Sequence, residues 1–416
     1  MIIQSVDLGF HEFPMQFFIF TACGVWCPSD WSPSLKKLYK IFEIFQIIAA
    51  TWFWLTMFMN LLLKNTESDL FYDNIFALLV LTLAAYKKYF FLKNRKVISK
   101  VLSMCSDDSW YQPKNKQEAE IIERFQHETR FSFLDLFNEN HLMLNHFRLV
   151  TELYALGIST ALAIKAVIPM LQSKSGLVLP IEAWYPYKTE NIFIYLFSYL
   201  QQLIAGIPMI CLQISVDSFF VCLVLRVVTQ LNLLKYRIQF SSNNFISKGQ
   251  EVTTATGIHK NILMIDTWLR ICSRKHAKIY EFAESVHKCF KSIMAAQLII
   301  TIPCLCMTVF ILAQFDELGF NFVDKFFCFA TCLMEIFLYC WYGNEIILES
   351  LDVGNSIYHM NWIVLQSKTR KNILMMMFRA RRPIKFTVRS CVVNVASFIE
   401  IIKTSFSAFR LLQTIS

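Results

Sequence analysis

Seven long apolar stretches constrain this chain more than any other feature. Each is long enough to cross a bilayer, which takes about 20 residues of helix. Apolar residues make up 55% of the 416-residue chain and charged residues only 17%, whereas soluble domains carry roughly 25% charged residues. The sequence therefore predicts an all-α membrane protein with seven transmembrane helices, spans one to seven, at residues 38–63, 71–92, 148–171, 191–224, 292–315, 325–348 and 385–412.

The distribution of lysine and arginine predicts the orientation of these spans. The basic-rich connections are 87–147, 225–291 and 349–384, and the basic-poor connections are 64–70, 165–190 and 316–325. Because basic connections stay in the cytosol, the N-terminus is predicted to be cytosolic and the C-terminus extracellular. A G-protein-coupled receptor has the opposite orientation, and neither its Asp-Arg-Tyr motif nor its Asn-Pro-x-x-Tyr motif is present. The sequence therefore disfavours that class.

The predicted cytosolic segments show helical periodicity of their own. Apolar residues recur at helical spacing in 117–147 and 258–291, so helices are expected to continue spans four and five into the cytosol. A Ser/Asn/Gly/Thr-rich stretch, 241–257, predicts a mobile linker between them. Residues 357–378 have a middle too polar for lipid and predict a cytosolic amphipathic helix, which Pro383 ends before the last span opens.

These features divide the chain into five parts. They are an N-terminal segment with spans one to four (1–224), a cytosolic helical extension with its linker (225–291), spans five and six (292–348), the segment with the amphipathic helix (349–384) and span seven (385–416).

The sequence carries no recognisable catalytic or metal-binding motif. All thirteen cysteines fall in predicted spans or cytosolic segments, where thiols stay reduced. The pair Cys304 and Cys306 and the pair Cys328 and Cys332 lack companion ligands for a metal. No phosphate loop, HExxH or GxSxG pattern occurs. The sequence predicts no enzyme, no cofactor, no metal and no nucleic-acid partner.

Charged residues inside the spans are functional hypotheses by default, because burial in lipid is costly. The candidates are Asp217, Glu335, Glu400, Lys403 and Arg410. For Asp217 and Glu335 the alternative is that they only form hydrogen bonds with neighbouring helices.

A signature near the C-terminus resembles that of insect odorant receptors. It consists of Tyr339-Cys340-x-Tyr342-Gly343, Ser350-x-x-Val353, Tyr358-x-x-x-Trp362, Lys371-x-x-Leu374, Arg382-Pro383 and Ile402-Lys403-Thr404-Ser405-x-Ser407. The seven-span topology with a cytosolic N-terminus also fits that family. The chain departs from it at Ser356, where alanine is usual, at Arg389, where glycine is usual, and at Ala408, where an aromatic residue is common.

The chain resembles a ligand-binding, tuning receptor rather than the shared co-receptor, because it lacks the longer cytosolic insertion expected of the co-receptor. The C-terminal pattern of gustatory receptors is also absent. A gustatory-type receptor and a stand-alone transporter remain alternatives, although no internal repeat supports a transporter.

The resemblance implies a subunit of an odorant-gated, non-selective cation channel. Family members assemble as tetramers with the co-receptor around one central pore, in the plasma membrane of olfactory sensory neuron dendrites. A small, volatile, lipophilic odorant and membrane lipid are the other implied partners. The odorant is expected in the outer halves of spans two, three, four and six. Candidate ligand-binding residues there are Ile75, Phe76, Leu79, Tyr154, Gly157, Ala161, Tyr195, Ser198, Tyr199, Gln202, Phe326, Phe329 and Leu333.

Two further pairs are predicted to act in assembly and gating. Span seven mixes many polar residues with apolar ones, as a pore-lining helix does, and Leu411 and Ile415 match the family's hydrophobic constriction, which gates by dewetting. Tyr358 and Trp362 are expected to share one helix face, either at a subunit contact or packed within their own subunit.

Overall fold

Long helices make up nearly all of the structure. The computed structural model describes Phe10 and residues 13–63, 68–106, 112–113, 115–129, 157, 179–187, 191–251, 255–314, 320–360, 362–363 and 365–415. These residues form ten helices of more than one turn: α1 (Pro14–Ala22), α2 (Pro33–Leu63), α3 (Ser68–Lys93), α4 (Arg95–Ser106), α5 (Lys116–Thr129), α6 (Ile192–Glu251), α7 (Ala255–Leu312), α8 (Phe320–Tyr358), α9 (Ser367–Ala380) and α10 (Val395–Ile415). Two short strands, β1 (Thr387–Val388) and β2 (Cys391–Val392), precede α10.

Five helices in the described part of the chain are long and apolar enough to cross a membrane. They contain Pro33–Leu63, Phe71–Lys93, Ile192–Gln239, Leu263–Leu312 and Phe322–Tyr358, and they correspond to predicted spans one, two, four, five and six. Predicted span three, 148–171, lies outside the described residues except for Gly157. The helix of span seven, α10, carries three charges, Glu400, Lys403 and Arg410.

Helices α6 and α7 are far longer than the membrane requires. They have 60 and 58 residues, or about 90 Å each, against roughly 30 Å for the hydrocarbon core. They also extend into the predicted linker, because residues 241–251 and 255–257 are helical. Those residues of the predicted linker are therefore helical. Polar residues lower helix propensity by only a few tenths of a kcal/mol each, so composition alone does not end a helix.

The middle of α6 is the centre of the hydrophobic core. Its side chains are buried around the whole helix and pack against α1, α7 and α8, the pattern of a helix enclosed on all sides. Phe17 and Phe20 of α1 meet Phe219 edge-on, and Phe290 of α7 packs on Phe220. These aromatic contacts hold α1 against α6, so that side chains of α1 form part of the hydrophobic core.

Ion pairs join the long helices where they continue beyond the apolar spans. Arg237 of α6 donates to both carboxylate oxygens of Glu118 on α5, at 3.0 and 2.8 Å, with both side chains buried. Lys235 of α6 lies 2.8 Å from Asp352 on α8. A bidentate arginine–carboxylate pair has a defined geometry, so it holds α5 in one orientation against α6.

The last span begins later than the sequence predicts. Residues 385–394 do not extend α10 but include a hairpin, in which Thr387 pairs with Val392 and Val388 with Cys391. The β-branched residues favour strands. Asn394 then caps α10, since its Oδ1 accepts the N–H of Ser397 at 2.9 Å. Two of the polar residues attributed to a pore lining, Asn394 and Ser397, therefore serve the start of the helix.

Arg389 occupies a backbone conformation that glycine prefers. Its φ is 52°, and no other non-glycine residue in the described ranges has a positive φ. The hairpin loop consists of Arg389 and Ser390, and it matches a turn whose first position favours glycine. Glycine is also the usual residue at this position in the family that the sequence resembles. We expect Arg389→Gly to raise stability by about 1 kcal/mol, because the left-handed strain is relieved.

Thermal unfolding of the purified protein measures this effect. Ser390→Gly is the matched control, and it is expected to leave the melting temperature unchanged or lower it, since the φ of Ser390 is not positive. A melting temperature that falls in Arg389→Gly contradicts the strain argument.

Candidate functional site at the outer ends of the spans

Two ion pairs hold α3 and α8, the helices of spans two and six, together at two heights. Near the outer ends, Lys325 Nζ lies 2.6 Å from Asp73 and 3.1 Å from Asp324. Deeper in the membrane, Lys87 Nζ lies 3.2 Å from Glu335. Six of the predicted ligand residues lie between these links along the two helices: Ile75, Phe76, Leu79, Phe326, Phe329 and Leu333. Both groups thus lie along their helices between the same two links.

These six residues differ in their surroundings. Phe76, Leu79, Phe329 and Leu333 are partly buried and pack against the main core, whereas Phe326 is exposed on the described surface. Ile75 is partly buried. Apolar side chains that are neither fully buried nor free are typical of the wall of a lipophilic site.

The outer end of α6 presents two aromatic rings and two polar anchors. Tyr195 and Tyr199 are buried, with ring centroids 6.0 Å apart. Gln202 forms two hydrogen bonds with the backbone of Ile181 in the connecting segment 179–187. Its Nε2 donates to the Ile181 carbonyl at 2.9 Å and its Oε1 accepts the Ile181 N–H at 3.2 Å. Ser198 Oγ lies 3.0 Å from Tyr187 Oη. Ser198 and Gln202 therefore position this segment over the spans.

Tyr185 belongs to the same anchored segment. Its hydroxyl donates to Gln201 at 3.0 Å and accepts from Gln202 at 3.3 Å. Burial raises the pKa of Tyr185 to about 12, so the phenol keeps its proton and its role as a donor at neutral pH. Sequence reasoning missed this segment, because a hydrogen bond between a connection and a span leaves no periodic signal.

Gly157 is the described residue of predicted span three. A Cβ at this position would lie 3.1 Å from Thr331 Cγ2 of α8, so span three passes close to span six here. Tyr154 and Ala161, the other ligand residues predicted on span three, lie outside the described residues.

A network of buried polar side chains joins spans two, four and six below this region. Lys87 Nζ donates to Asp217 Oδ1 at 2.6 Å and to Glu335 Oε1 at 3.2 Å. Tyr339 donates to the same Asp217 oxygen at 2.6 Å, and Gln213 donates to Glu335 at 2.7 Å. Lys87 is 0% exposed. Asp217 and Glu335 therefore bond neighbouring helices, which was the alternative interpretation of these charges.

Sequence reasoning missed Lys87 as their partner. It assigned this lysine to the basic connection after span two, although Lys87 also lies inside the predicted span 71–92. A lysine inside an apolar span, in a chain with two intramembrane carboxylates, was the available signal.

Helix α10 presents a polar face to the outside of the chain. It packs on α7 through Ser405, whose carbonyl accepts from Cys306 at 3.5 Å, and through the buried Phe409. Glu400, Lys403, Thr404, Ser407 and Arg410 are exposed. Leu411 and Ile415 lie in α10 at register positions that continue the row of Thr404 and Ser407, and their side chains are outside the described part.

Tyr358 and Trp362 do not share a helix face, so that prediction is wrong. Helix α8 ends at Tyr358 and Trp362 lies beyond it, in a turn closed by its N–H bond to the Met360 carbonyl at 2.8 Å. Both are still surface residues, 61% and 39% exposed. Four other apolar residues of the same cytosolic segment are also exposed, and the six are called the cytosolic patch: Tyr358, Trp362, Ile363, Leu374, Met375 and Phe378.

The described residues contain no disulfide and no candidate metal site. The thirteen cysteines are free, and no group of three or more His, Cys, Asp or Glu in the described ranges is arranged to hold a metal ion.

The fold and these sites together define a multi-pass helical membrane protein whose long helices continue beyond the membrane. Residues 67–406 match the model of the 7tm odorant receptor family. The chain therefore belongs to that family, which confirms the resemblance.

Named relatives and solved structures agree with this assignment. Odorant receptor Or2 of Anopheles gambiae is 22% identical over 218 residues, which cover 52% of this chain and 56% of the relative. The chain thus spans a little over half the length of that relative. Odorant receptor 46a, isoform B, of Drosophila melanogaster is 21% identical over 417 residues, covering 96% of this chain and 97% of the relative. The insect olfactory receptor OR5 from Machilis hrabei, solved in complex with eugenol, superposes with a TM-score of 0.78 at 16% identity, covering 99% of this chain and 100% of that one.

The shared fold completes the architecture. The protein is an all-α membrane protein with seven transmembrane helices, a cytosolic N-terminus, an extracellular C-terminus and a cytosolic helical anchor domain. It belongs to a family of receptors and is not an enzyme. The G-protein-coupled receptor and transporter alternatives receive no support.

Proposed function

We propose that this chain is the odorant-binding, tuning subunit of an odorant-gated, non-selective cation channel that works with the odorant receptor co-receptor. Family membership supports the receptor class. The ligand proposal rests on one observation. Two ion pairs, Lys325–Asp73 and Lys87–Glu335, link spans two and six above and below the predicted apolar ligand residues. On this proposal the protein acts in the plasma membrane of olfactory sensory neurons, at the dendrite.

The odorant site lies in the outer halves of spans two, three, four and six on this proposal. Apolar residues of α3 and α8 form two walls, and the buried rings of Tyr195 and Tyr199 form a third. Tyr154, Gly157 and Ala161 contribute from span three. Ser198 and Gln202 act by holding the segment 179–187 across the outer side. A small lipophilic molecule suits such a site, because most of its binding free energy comes from apolar burial.

The pore is lined by α10 on this proposal. No described residue buries the exposed polar face with Glu400, Thr404 and Ser407, and a water-filled axis shared by several subunits would accommodate it. Leu411 and Ile415, one turn apart near the extracellular end, form this subunit's part of a hydrophobic gate. An apolar neck excludes water and ions until the helices separate.

The cytosolic patch around Tyr358 and Trp362 is the proposed contact with the co-receptor. Exposed apolar and aromatic side chains close together mark interaction surfaces in soluble parts of a protein. Three of its residues, Leu374, Met375 and Phe378, lie on α9 (Ser367–Ala380) of the anchor domain, where a contact between subunits would lie outside the membrane.

Electrical recording from cells that express the chain tests the function. We expect odorant-evoked cation current only when the co-receptor is present. Tyr199→Ala is expected to shift the half-maximal odorant concentration by about tenfold or more, since it removes a buried ring from the site. Phe193→Ala is the matched control on the same helix, because Phe193 is 79% exposed, and its shift should stay below about twofold.

Responses to an agonist of the co-receptor show that each variant complex is assembled. Current from this chain alone would overturn the co-receptor requirement. Unchanged odorant responses in Tyr199→Ala, Phe329→Ala and Leu79→Ala together would overturn the ligand site.

A further inference from the structure

A cavity lies between α2, α3 and α6, apart from the proposed odorant site. Its volume is about 390 Å³ and none of the predicted ligand residues lines it, while ligand sites generally have about 300–1,000 Å³. Trp54, Leu81, Leu92 and Met209 give it a mainly apolar wall. The volume and the lining are those of a binding site rather than of a packing defect.

The cavity is a groove that opens sideways, toward the lipid. Thr51 of α2 and Thr82, Ala85 and Tyr89 of α3 line it and are exposed. The three α3 residues recur at helical spacing and so form one edge. Trp54 Nε1 donates to Thr82 Oγ1 at 2.9 Å and bridges the two helices. An occupant can therefore enter from the bilayer without passing through the bundle.

Lys88 lines this groove and lacks a partner for its charge. It is 3% exposed and contributes to the wall. No ion pair or hydrogen bond links its Nζ to a residue that the structure describes. Lys87, the neighbouring residue, is equally buried but bonds two carboxylates. Burying an unpaired ammonium costs several kcal/mol, so an anion in the groove would offset a large penalty.

The described residues do not supply that anion. Glu43 of α2 attracts Lys88 electrostatically, but its Oε2 is 3.1 Å from Arg95 and forms an ion pair there. The remaining lining residues of the groove are uncharged. Among the described residues no carboxylate is left to pair with Lys88, so a bound anion would complement its charge.

The position of Lys88 indicates which leaflet of the membrane would supply the bound anion. Span two runs from the extracellular to the cytosolic side, so Lys88 lies about 7 Å before its cytosolic end at Lys93. Lys93, Arg95 and Lys96 follow at the membrane surface. Anionic lipids are concentrated in the cytosolic leaflet and are attracted to such basic residues. From Lys88 the apolar wall continues toward Leu81, two helical turns deeper in the membrane.

We propose that this groove binds an anionic phospholipid of the cytosolic leaflet, with its phosphate paired to Lys88 and one acyl chain along the apolar wall. The lipid links span one to spans two and four, because α2, α3 and α6 all contact it. The site is separate from odorant binding and does not depend on the proposed channel function.

Native mass spectrometry of the purified protein tests the proposal. The protein is reconstituted in nanodiscs of phosphatidylcholine with about 20 mol% phosphatidylserine, which supplies anionic headgroups, and is then released into detergent. We expect the wild-type protein to retain phosphatidylserine, and Lys88→Met to retain one molecule fewer for each copy of this chain. Lys93→Met removes the same charge from an exposed position on the same helix and should retain the wild-type amount.

Two more variants separate a lost site from a misfolded chain. Lys88→Arg keeps the charge and should retain the lipid, whereas Ala85→Phe keeps Lys88 but fills the groove and should lose it. Equal retention in wild type and Lys88→Met overturns the proposal. Equal occupancy by phosphatidylcholine, or displacement of the phospholipid by oleate at matched concentration, also overturns it, because the occupant is then a neutral lipid or a fatty acid.

Discussion

Replacing Gly343 by alanine is expected to destabilise the protein by about 3 kcal/mol and to remove most of the odorant-evoked current of the proposed channel. A Cβ at position 343 would overlap the carbonyl oxygen of Val393 and lie 3.2 Å from the Val393 carbonyl carbon. These are backbone atoms, and they cannot rotate away as a flexible side chain can. Val393 is also tied to the hairpin, since its N–H donates to the Phe386 carbonyl at 2.8 Å. The methyl group must therefore push the start of span seven away from α8.

Gly354→Ala is the matched control for this substitution. It lies on the same helix, and its Cβ would meet the nearest atom, Ala380 Cβ, at 3.4 Å, an ordinary contact. Alanine favours a helix interior over glycine by up to about 1 kcal/mol, so Gly354→Ala should be neutral or stabilising. Thermal unfolding of the solubilised complex measures the stability of both variants, and odorant-evoked current measures their function. Wild-type stability in Gly343→Ala would contradict the close packing.

The Gly343 contact supplies a physical reason for the Tyr342-Gly343 element of the C-terminal signature. The element lies where α8 leaves the apolar span, and the hairpin crosses it there with its backbone in contact. The last span is thereby attached to the helix of span six. A displacement of a few tenths of an ångström at this contact changes the start of the proposed pore helix.

Lys87→Met is expected to lower the free energy of unfolding by about 3–5 kcal/mol. The substitution leaves the buried carboxylates of Asp217 and Glu335 without the ammonium group that pairs with them. The network joins spans two, four and six, so its loss should lower the yield of assembled complex as well as its melting temperature. Size-exclusion chromatography of the solubilised complex and thermal unfolding measure these two effects.

The triple variant Lys87→Met, Asp217→Asn, Glu335→Gln is the control for this loss. It removes all three charges while keeping similar shapes, and replacing a whole buried ion cluster costs far less than removing one member. It should therefore recover most of the stability lost in Lys87→Met. A triple variant as unstable as the single one would show that packing, rather than charge, makes Lys87 necessary.

The network joins three of the four helices that carry the proposed odorant site. Ile75 and Leu79 precede Lys87 on α3, Tyr199 precedes Gln213 on α6, and Leu333 precedes Glu335 on α8. Charge-assisted hydrogen bonds of 2.6–2.7 Å have strict geometry. The network thus fixes the relative heights of the helices that carry the site.

The sequence by itself determined the class of the protein, its seven spans and their orientation. These depend on properties that can be counted along the chain: the length of apolar stretches, set by the thickness of the bilayer, and the placement of lysine and arginine. The signature from Tyr339 to Ser407 likewise identified the family, because order and spacing are one-dimensional.

Only the tertiary structure decided which side chains meet. It paired Lys87 with Asp217 and Glu335, and it left Lys88 facing a groove. It turned residues 387–392 into a hairpin and separated Tyr358 from Trp362 at a helix end. The physical reason is that hydropathy gives the depth of a residue in the membrane but not the rotation of its helix. Rotation and contact depend on how neighbouring helices pack, and packing joins residues that are far apart in the chain.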